Sequence, residues 1–286
     1  MRFAVVGGDR RSALLAGLLL REGHRVRSFA LERAELPAEI PKDSALQACV
    51  YGADAVLLPV PAERGPLLNA PLAAQPLPLE ELWAALWPGQ LVLGGGFGEQ
   101  SGAQALHGKF FLEDLLRRSS FVTGNAALTA EAAAGLLIRE CERSLRGGRI
   151  LLLGYGRLGK LLTHTLSALG AALTVAARKE ADRALAQALG AAALPLEALE
   201  GAVGETDAIV NTVPARVLSD AALCCVPSGA PLIELASAPG GFDRSLAQNI
   251  GLRVIAAPGL PGRYKALAAA ELIKAELDTI LTEQEA

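Results

Sequence analysis

Short apolar runs recur along the chain, each closed by Gly, Pro or Asp and followed by a helix-length segment. They show little polar alternation, as expected of parallel strands buried on both faces of a sheet. The first series is Phe3–Val6, Val26–Phe29, Ala55–Val60, Leu91–Leu93 and Phe110–Leu112. The second is Ile150–Leu153, Leu173–Ala177, Ala208–Val213, Leu232–Leu235 and Leu252–Ala256. The halves echo each other: Ala53-Asp54-Ala55-Val56-Leu57-Leu58-Pro59 parallels Thr206-Asp207-Ala208-Ile209-Val210-Asn211-Thr212. The pattern predicts an α/β protein of two doubly wound parallel-sheet (Rossmann-like) domains with a ligand cleft between them.

The expected boundaries are 1–122 for a substrate or partner domain, Rossmann-like or flavodoxin-like, and 148–263 for a dinucleotide domain. A connecting helix is expected over 123–147, capped by Thr123-Gly124-Asn125, rich in Ala, Leu and Glu from Ala126 to Leu145, and ended by Gly147-Gly148. After Pro258-Gly259-Leu260-Pro261-Gly262, a last helix within 264–286 places Leu267, Leu272, Ile273, Leu277 and Ile280 at helical spacing. It is expected to pack back on the first domain and complete it.

The strongest chemical signal is Leu151-Leu152-Leu153-Gly154-Tyr155-Gly156-Arg157-Leu158-Gly159-Lys160, a strand running into G-x-G-x-x-G ahead of a helical pattern. Gly154 permits a sharp turn, Gly156 lets a pyrophosphate approach the backbone, and Gly159 lets helix and sheet pack closely. The phosphates would meet free N–H groups at the helix N-terminus. Together with Arg157 and Leu158 these glycines form the expected coenzyme loop. The next strand ends in Ala177-Arg178-Lys179, where an NAD site usually carries an acid; Glu180 comes one position late. A guanidinium suits a 2′-phosphate, so NADP(H) is expected ahead of NAD(H).

Asn211-Thr212-Val213-Pro214 would run beside the nicotinamide ribose, and Glu234-Leu235-Ala236-Ser237 beside the nicotinamide pocket. Thr212, Val213, Pro214 and Ser237 are therefore candidate coenzyme contacts, and Asn211 and Glu234 candidate catalytic residues. For Glu234, a hydrogen-bonded strand-end carboxylate is the competing reading. In the first half, Gly7-Gly8-Asp9-Arg10-Arg11 has glycines but no G-x-G-x-x-G, which argues against a second dinucleotide. Asp9, Arg10 and Arg11 could cap a helix or clamp a carboxylate. Asn125, Thr129 and Glu131 fall near the expected cleft, Asn125 and Thr129 on one helix face as candidate substrate contacts and Glu131 as a candidate catalytic group.

Composition narrows the classes. The net charge of −3 over 286 residues offers no footprint for nucleic acid or an anionic membrane. No uninterrupted apolar run approaches the ~18 residues of a membrane span. Arg10-Arg11 before Ala13–Leu20 mimics an export signal, but no small-residue cleavage site follows, and a strand–helix unit accounts for the segment. Cys49, Cys141 and Cys224-Cys225 form no metal-ligand spacing and read as reduced thiols, so no metal is expected. The histidines, His24, His107 and His164, all precede the second half of the dinucleotide domain. That disfavours a 2-hydroxyacid dehydrogenase with a late His as proton carrier.

Several segments taken together resemble the family of dipicolinate synthase A subunits along essentially the whole chain. They are Val5-Val6-Gly7-Gly8-Asp9-Arg10, Leu58-Pro59-Val60, Asn125 with Thr129-Ala130-Glu131, the Gly154–Gly159 loop, Ala177-Arg178 and Asn211-Thr212-Val213-Pro214. Leu235-Ala236-Ser237 with Pro239-Gly240-Gly241, and Ala257-Pro258-Gly259-Leu260-Pro261-Gly262, complete the set. The resemblance implies NADP-dependent oxidation of a dihydrodipicolinate-type ring to pyridine-2,6-dicarboxylate during sporulation. It also implies that the flavoprotein-like B subunit of dipicolinate synthase is the partner, and a place in the mother-cell cytoplasm. The chain departs from the family at Lys265–Ala270, Ala238 and Leu128. Two other readings stay open: an NADP-dependent dehydrogenase or reductase of another small carboxylate, and an NADPH-binding subunit that leaves chemistry to its partner. The oligomeric state, a homo-oligomer included, is open as well.

Overall fold

The structure, a computed structural model, describes residues 1–285. The chain divides into two units, one of Met1–Asn125 with the segment that begins at Pro261, the other of Ala126–Leu260. In the first unit the strands are β1 (Arg2–Val6), β2 (Arg25–Phe29), β3 (Ala55–Leu57), the short antiparallel hairpin β4 (Glu63–Arg64) and β5 (Leu67–Leu68), β6 (Leu91–Gly94) and β7 (Phe111–Asp114). Its helices are α1 (Arg10–Arg21), α2 (Leu46–Val50), α3 (Leu79–Ala84) and α4 (Glu99–Gly108). The sheet runs β2-β1-β3-β6-β7, all parallel, which is the flavodoxin-like order once the hairpin is set aside.

Helix α5 (Ser119–Glu140) leads into the second unit. There β8 (Arg149–Leu153), β9 (Ala172–Ala176), β10 (Ala192–Leu194), β11 (Ala208–Asn211), β12 (Leu232–Glu234) and β13 (Val254–Ala256) form a parallel sheet. Its order, β10-β9-β8-β11-β12-β13, is that of a Rossmann domain. Helices α6 (Arg157–Ala168), α7 (Glu180–Ala188), α8 (Leu199–Ala202), α9 (Asp220–Cys224) and α10 (Arg244–Asn249) connect the strands. Then α11 (Leu260–Tyr264) and α12 (Ala266–Glu285) close the chain. The α/β doubly wound class read from the sequence holds in both halves.

The apolar runs are continuous because each sheet has two cores. Phe3, Val5, Leu57, Leu91 and Leu93 face one cluster, while Ala4, Val6, Val56 and Val92 face another. In the second unit Ile150, Leu152, Val175 and Val210 face one side and Leu151, Leu153, Ala176 and Ile209 the other. The sequence echo also has a structural basis. The Asp54 carboxylate accepts from Arg2 N at 2.8 Å, and that of Asp207 accepts from Arg149 N at 2.8 Å. In return Asp54 N donates to Arg2 O and Asp207 N to Arg149 O, both at 2.8 Å. An aspartate thus clamps the start of the central strand in each half. The Arg149 backbone N–H, the largest influence, holds the Asp207 carboxyl below its ordinary range.

Helix α12 docks on the first unit as expected, with Ala270, Ile273, Leu277 and Ile280 buried in the cluster of Leu15 and Leu19 from α1. Arg118 reaches from the segment before α5 to Glu276 and to Glu283, the latter at 2.8 Å, while Ser120 Oγ donates to Glu276 at 2.8 Å. Two expectations need correction. Helix α5 starts at Ser119, so Thr123-Gly124-Asn125 is helix interior rather than a cap. Gly124 is a close-approach glycine, since a Cβ there would meet Leu272 Cδ1 at 2.7 Å. The same helix ends at Glu140, whose carbonyl accepts from Arg253 Nη1 at 2.8 Å, short of the expected Leu145. Residues Leu260–Tyr264 form a further helical turn ahead of α12.

By length and composition α5 could cross a membrane. Its Ala133, Leu136 and Leu137, however, lie in the core beside Leu162 and Leu166, the setting of an interior helix. Leu277 is fully buried, and its truncation to alanine should cost about 2–4 kcal/mol of unfolding free energy. Denaturant titration of L277A checks this, and an unshifted midpoint would show that α12 does not dock.

Candidate functional site

The loop from β8 to α6 is built by three glycines with three different constraints. Gly154 has φ +95°, and a Cβ on it would lie 2.6 Å from Thr212 Oγ1 and 2.7 Å from Val213 Cγ2. Gly159 packs so closely that a Cβ would come within 2.3 Å of the Gly154 carbonyl oxygen. Gly156 is the opposite case, with open space around its Cβ position. Turn, close helix packing and free access are the three demands a pyrophosphate loop makes. The residues therefore fit a dinucleotide, with Gly156 at the N-cap of α6 and its dipole available to phosphate.

A cavity of about 450 Å³ opens over this loop within the second unit. It brings together Gly154, Gly156, Arg157, Leu158, Gly159, Arg178, Lys179, Thr212, Val213 and Pro214, the residues expected to hold coenzyme, with Ser237 not among its walls. Thr212 anchors the far rim, its N–H and Oγ1 both donating to Leu153 O at 2.9 and 2.8 Å. Arg178 and Lys179 are exposed at the end of β9. Arg183 stiffens that turn by donating Nη1 to the carbonyls of Ala177 and Arg178, at 2.9 and 2.8 Å.

Sequence reasoning missed Asp182, Tyr155, Leu196 and Val217, which also line the cavity. Leu196 and Val217 supply apolar wall. Asp182, in the first turn of α7, pairs with Lys160 Nζ at 3.3 Å. A carboxylate soon after the basic pair was visible, but its position three residues beyond Lys179 matches no fingerprint.

Glu234 takes the competing reading, a hydrogen-bonded strand-end carboxylate, and Asn211 is engaged beside it rather than turned to a ligand. Both are fully buried, and Glu234 accepts hydrogen bonds from Asn211 Nδ2 at 2.6 Å, Ala236 N at 3.0 Å and Gly241 N at 2.8 Å. Asn211 also bonds both ways to Val213, accepting its N–H at 3.0 Å and donating to its carbonyl at 2.9 Å. The pair ties the loop after β11 to the loop after β12 and turns its polar atoms inward. Ser237 is exposed, its carbonyl accepting from Gly240 N at 3.0 Å.

In the first unit the matching strand–helix turn is closed by the chain itself. Gly8 N donates to Asn69 O at 3.1 Å, and a Cβ on Gly7 would lie 2.5 Å from Leu68 Cδ2. Asp9 caps α1 through Arg11 N at 2.9 Å. Arg11 is corrected from the expected carboxylate clamp: it is 9% exposed, and its Nε and Nη2 grip Asp9 at 3.0 and 2.9 Å. Arg10 is exposed beside it. On α5, Asn125 and Thr129 are half-buried and Glu131 is exposed.

Comparison with known proteins agrees with the motif reading. Residues 2–107 match the family described as the N-terminal domain of the dipicolinate synthase A subunit. Over 238 residues the chain is 29% identical to the A subunit of dipicolinate synthase from Bacillus subtilis (strain 168), spanning 82% of this chain and 79% of that one. The crystal structure of the dipicolinate synthase A subunit from Bacillus halodurans superposes with a TM-score of 0.85 at 23% identity, covering 98% of this chain and 97% of the other. L-alanine dehydrogenase shares the fold at a TM-score of 0.62 and 15% identity, over 96% of this chain and 87% of its own. The architecture is thus that of the dehydrogenase fold.

The second and third glycines of the loop separate packing from access. Gly159→Ala forces a Cβ onto a backbone carbonyl and should cost about 1–3 kcal/mol, whereas Gly156→Ala should unfold within a degree or two of the parent. Thermal unfolding of the two variants without ligand checks this, and equal losses would contradict the geometry.

Proposed function

We propose that the chain, which is similar to the dipicolinate synthase A subunits, is the dehydrogenase subunit that oxidises a dihydrodipicolinate-type ring to pyridine-2,6-dicarboxylate with NADP. The observation that carries this reading is the glycine-built cavity rimmed by Arg178 and Lys179, in a chain with this family likeness. Held there, an oxidised nicotinamide would supply the hydride acceptor, and the ring would lose a hydride and a proton as it becomes aromatic. That gain in aromaticity supplies the driving force, so the protein's task is positioning, worth several kcal/mol of barrier.

The geometry supports the following residue roles. Gly154, Gly156, Arg157, Leu158 and Gly159 would hold the diphosphate; Arg178 with Lys179 the 2′-phosphate; and Thr212, Val213 and Pro214 the inner rim of the cavity. Asn211 and Glu234 act as positioning residues that fix the loops around it. Arg10, exposed at the start of α1, and Asn125 are proposed to meet a carboxylate of the substrate. Under this reading the second polypeptide of the synthase is the partner, and the chain works in the mother-cell cytoplasm of a sporulating bacterium.

Calorimetric titration of the purified chain should give tighter binding of NADPH than of NADH. Arg178→Ala should weaken NADPH by roughly ten- to hundredfold and move NADH by less than threefold. Equal affinity of the parent for both coenzymes would remove the basis for NADP. Arg10→Ala should weaken pyridine-2,6-dicarboxylate binding with NADPH affinity unchanged. Absence of dihydrodipicolinate turnover, with and without the partner polypeptide, would overturn the proposed reaction.

A further inference from the structure

The coenzyme cavity contains a carboxylate that the NADP reading does not require. Asp182 lines it together with Arg178 and Lys179. A carboxylate at that end of a Rossmann cavity has two effects. It accepts from a ribose hydroxyl and it repels a phosphate, and both favour NAD. Yet Asp182 is not alone. Lys160, the residue after the third glycine, places its ammonium nitrogen 3.3 Å from Asp182 Oδ1.

Lys160 is held on its other side as well. Its nitrogen stands 5.6 Å from the centre of the Tyr155 ring, within reach of a cation–π contact. Tyr155 is only 3% exposed, packed in the core with Leu162 and Leu166, so the ring cannot swing away. Its phenol is kept protonated first by burial and then by the Asp182 charge, which places that charge within electrostatic reach of the loop. The ammonium is thus fixed between an aromatic face and the one acid among the cavity's walls.

We propose that Lys160 is a specificity-determining residue: by neutralising Asp182 it lets a cavity that holds a carboxylate accept a 2′-phosphate. The inference rests on the NADP reading above and deepens it. The two side chains are 45% and 26% exposed, so the effect is modest, roughly three- to tenfold in the ratio of the two affinities.

The test is a four-protein comparison of the full chain, Lys160→Met, Asp182→Asn and the double variant, with NADPH and NADH dissociation constants from calorimetry and unfolding temperatures as a folding control. Lys160→Met should lower the NADPH preference three- to tenfold, chiefly through weaker NADPH binding. Adding Asp182→Asn should return the ratio to within about twofold of the parent, because the carboxylate to be neutralised is gone. Asp182→Asn alone should leave the NADPH preference equal to the parent's or raise it. An unchanged ratio in Lys160→Met overturns the proposal. So does a fallen ratio that Asp182→Asn leaves unrestored, the signature of a lysine acting directly on phosphate. Should the parent itself show no NADPH preference, the underlying coenzyme reading fails instead, and this proposal fails with it.

Discussion

The contact on which the cavity depends is the approach of Gly159 to the carbonyl of Gly154. A methyl group at residue 159 would sit 2.3 Å from that oxygen, so α6 can lie this close to the end of β8 only with hydrogen there. Two consequences follow from one distance. The first turn of α6 presents its N–H groups directly above the sheet edge, and Gly156, the N-cap, is left facing open space. Every other wall of the cavity is placed relative to that edge: Thr212 by its two hydrogen bonds to Leu153 O, and Arg178 by the end of β9, which pairs with β8.

The two halves show how one plan yields a ligand site once and a sealed turn once. Each begins its central strand with an aspartate clamp of the same geometry, Asp54 on Arg2 and Asp207 on Arg149. They diverge at the next loop. In the first half the N–H of Gly8 is satisfied by Asn69 and the space beside Gly7 is filled by Leu68, so the amide a phosphate would need is already engaged. The hairpin β4–β5 leads straight into that plug. In the second half nothing of the kind, among the described residues, covers Gly156. Strand order and glycine content alone do not separate the two cases; what lies over the turn does.

What the sequence made legible is what local constraint decides. The strands were readable because burial on both faces forces continuous apolar runs, and the loop because each of its glycines answers a backbone demand at a fixed spacing. The connecting helix was misread at its start since Thr123-Gly124-Asn125 has the chemistry of a cap, while the true reason for Gly124 is Leu272, far along the chain. Arg11 reads locally as a free cation, and only its fork on Asp9 shows otherwise. The Lys160–Asp182 pair belongs to two different helices that the Rossmann crossover brings together. Strand β10 escaped notice because it is three residues long with only partly buried side chains, a weak signal at a sheet edge.

Glu234 shows how burial decides a role. A carboxylate removed from water is costly unless donors replace its hydration, and three donors do so from residues 211, 236 and 241. Those donors come from both loops that follow β11 and β12, so satisfying the charge and fixing the loops are one event. Gly241 makes it possible, since a Cβ there would fall 2.4 Å from Asn211 Cγ. A side chain so engaged cannot turn toward a ligand without dismantling the loops that surround it. The second unit thus contributes rigidity and fixed electrostatics at this end of its sheet.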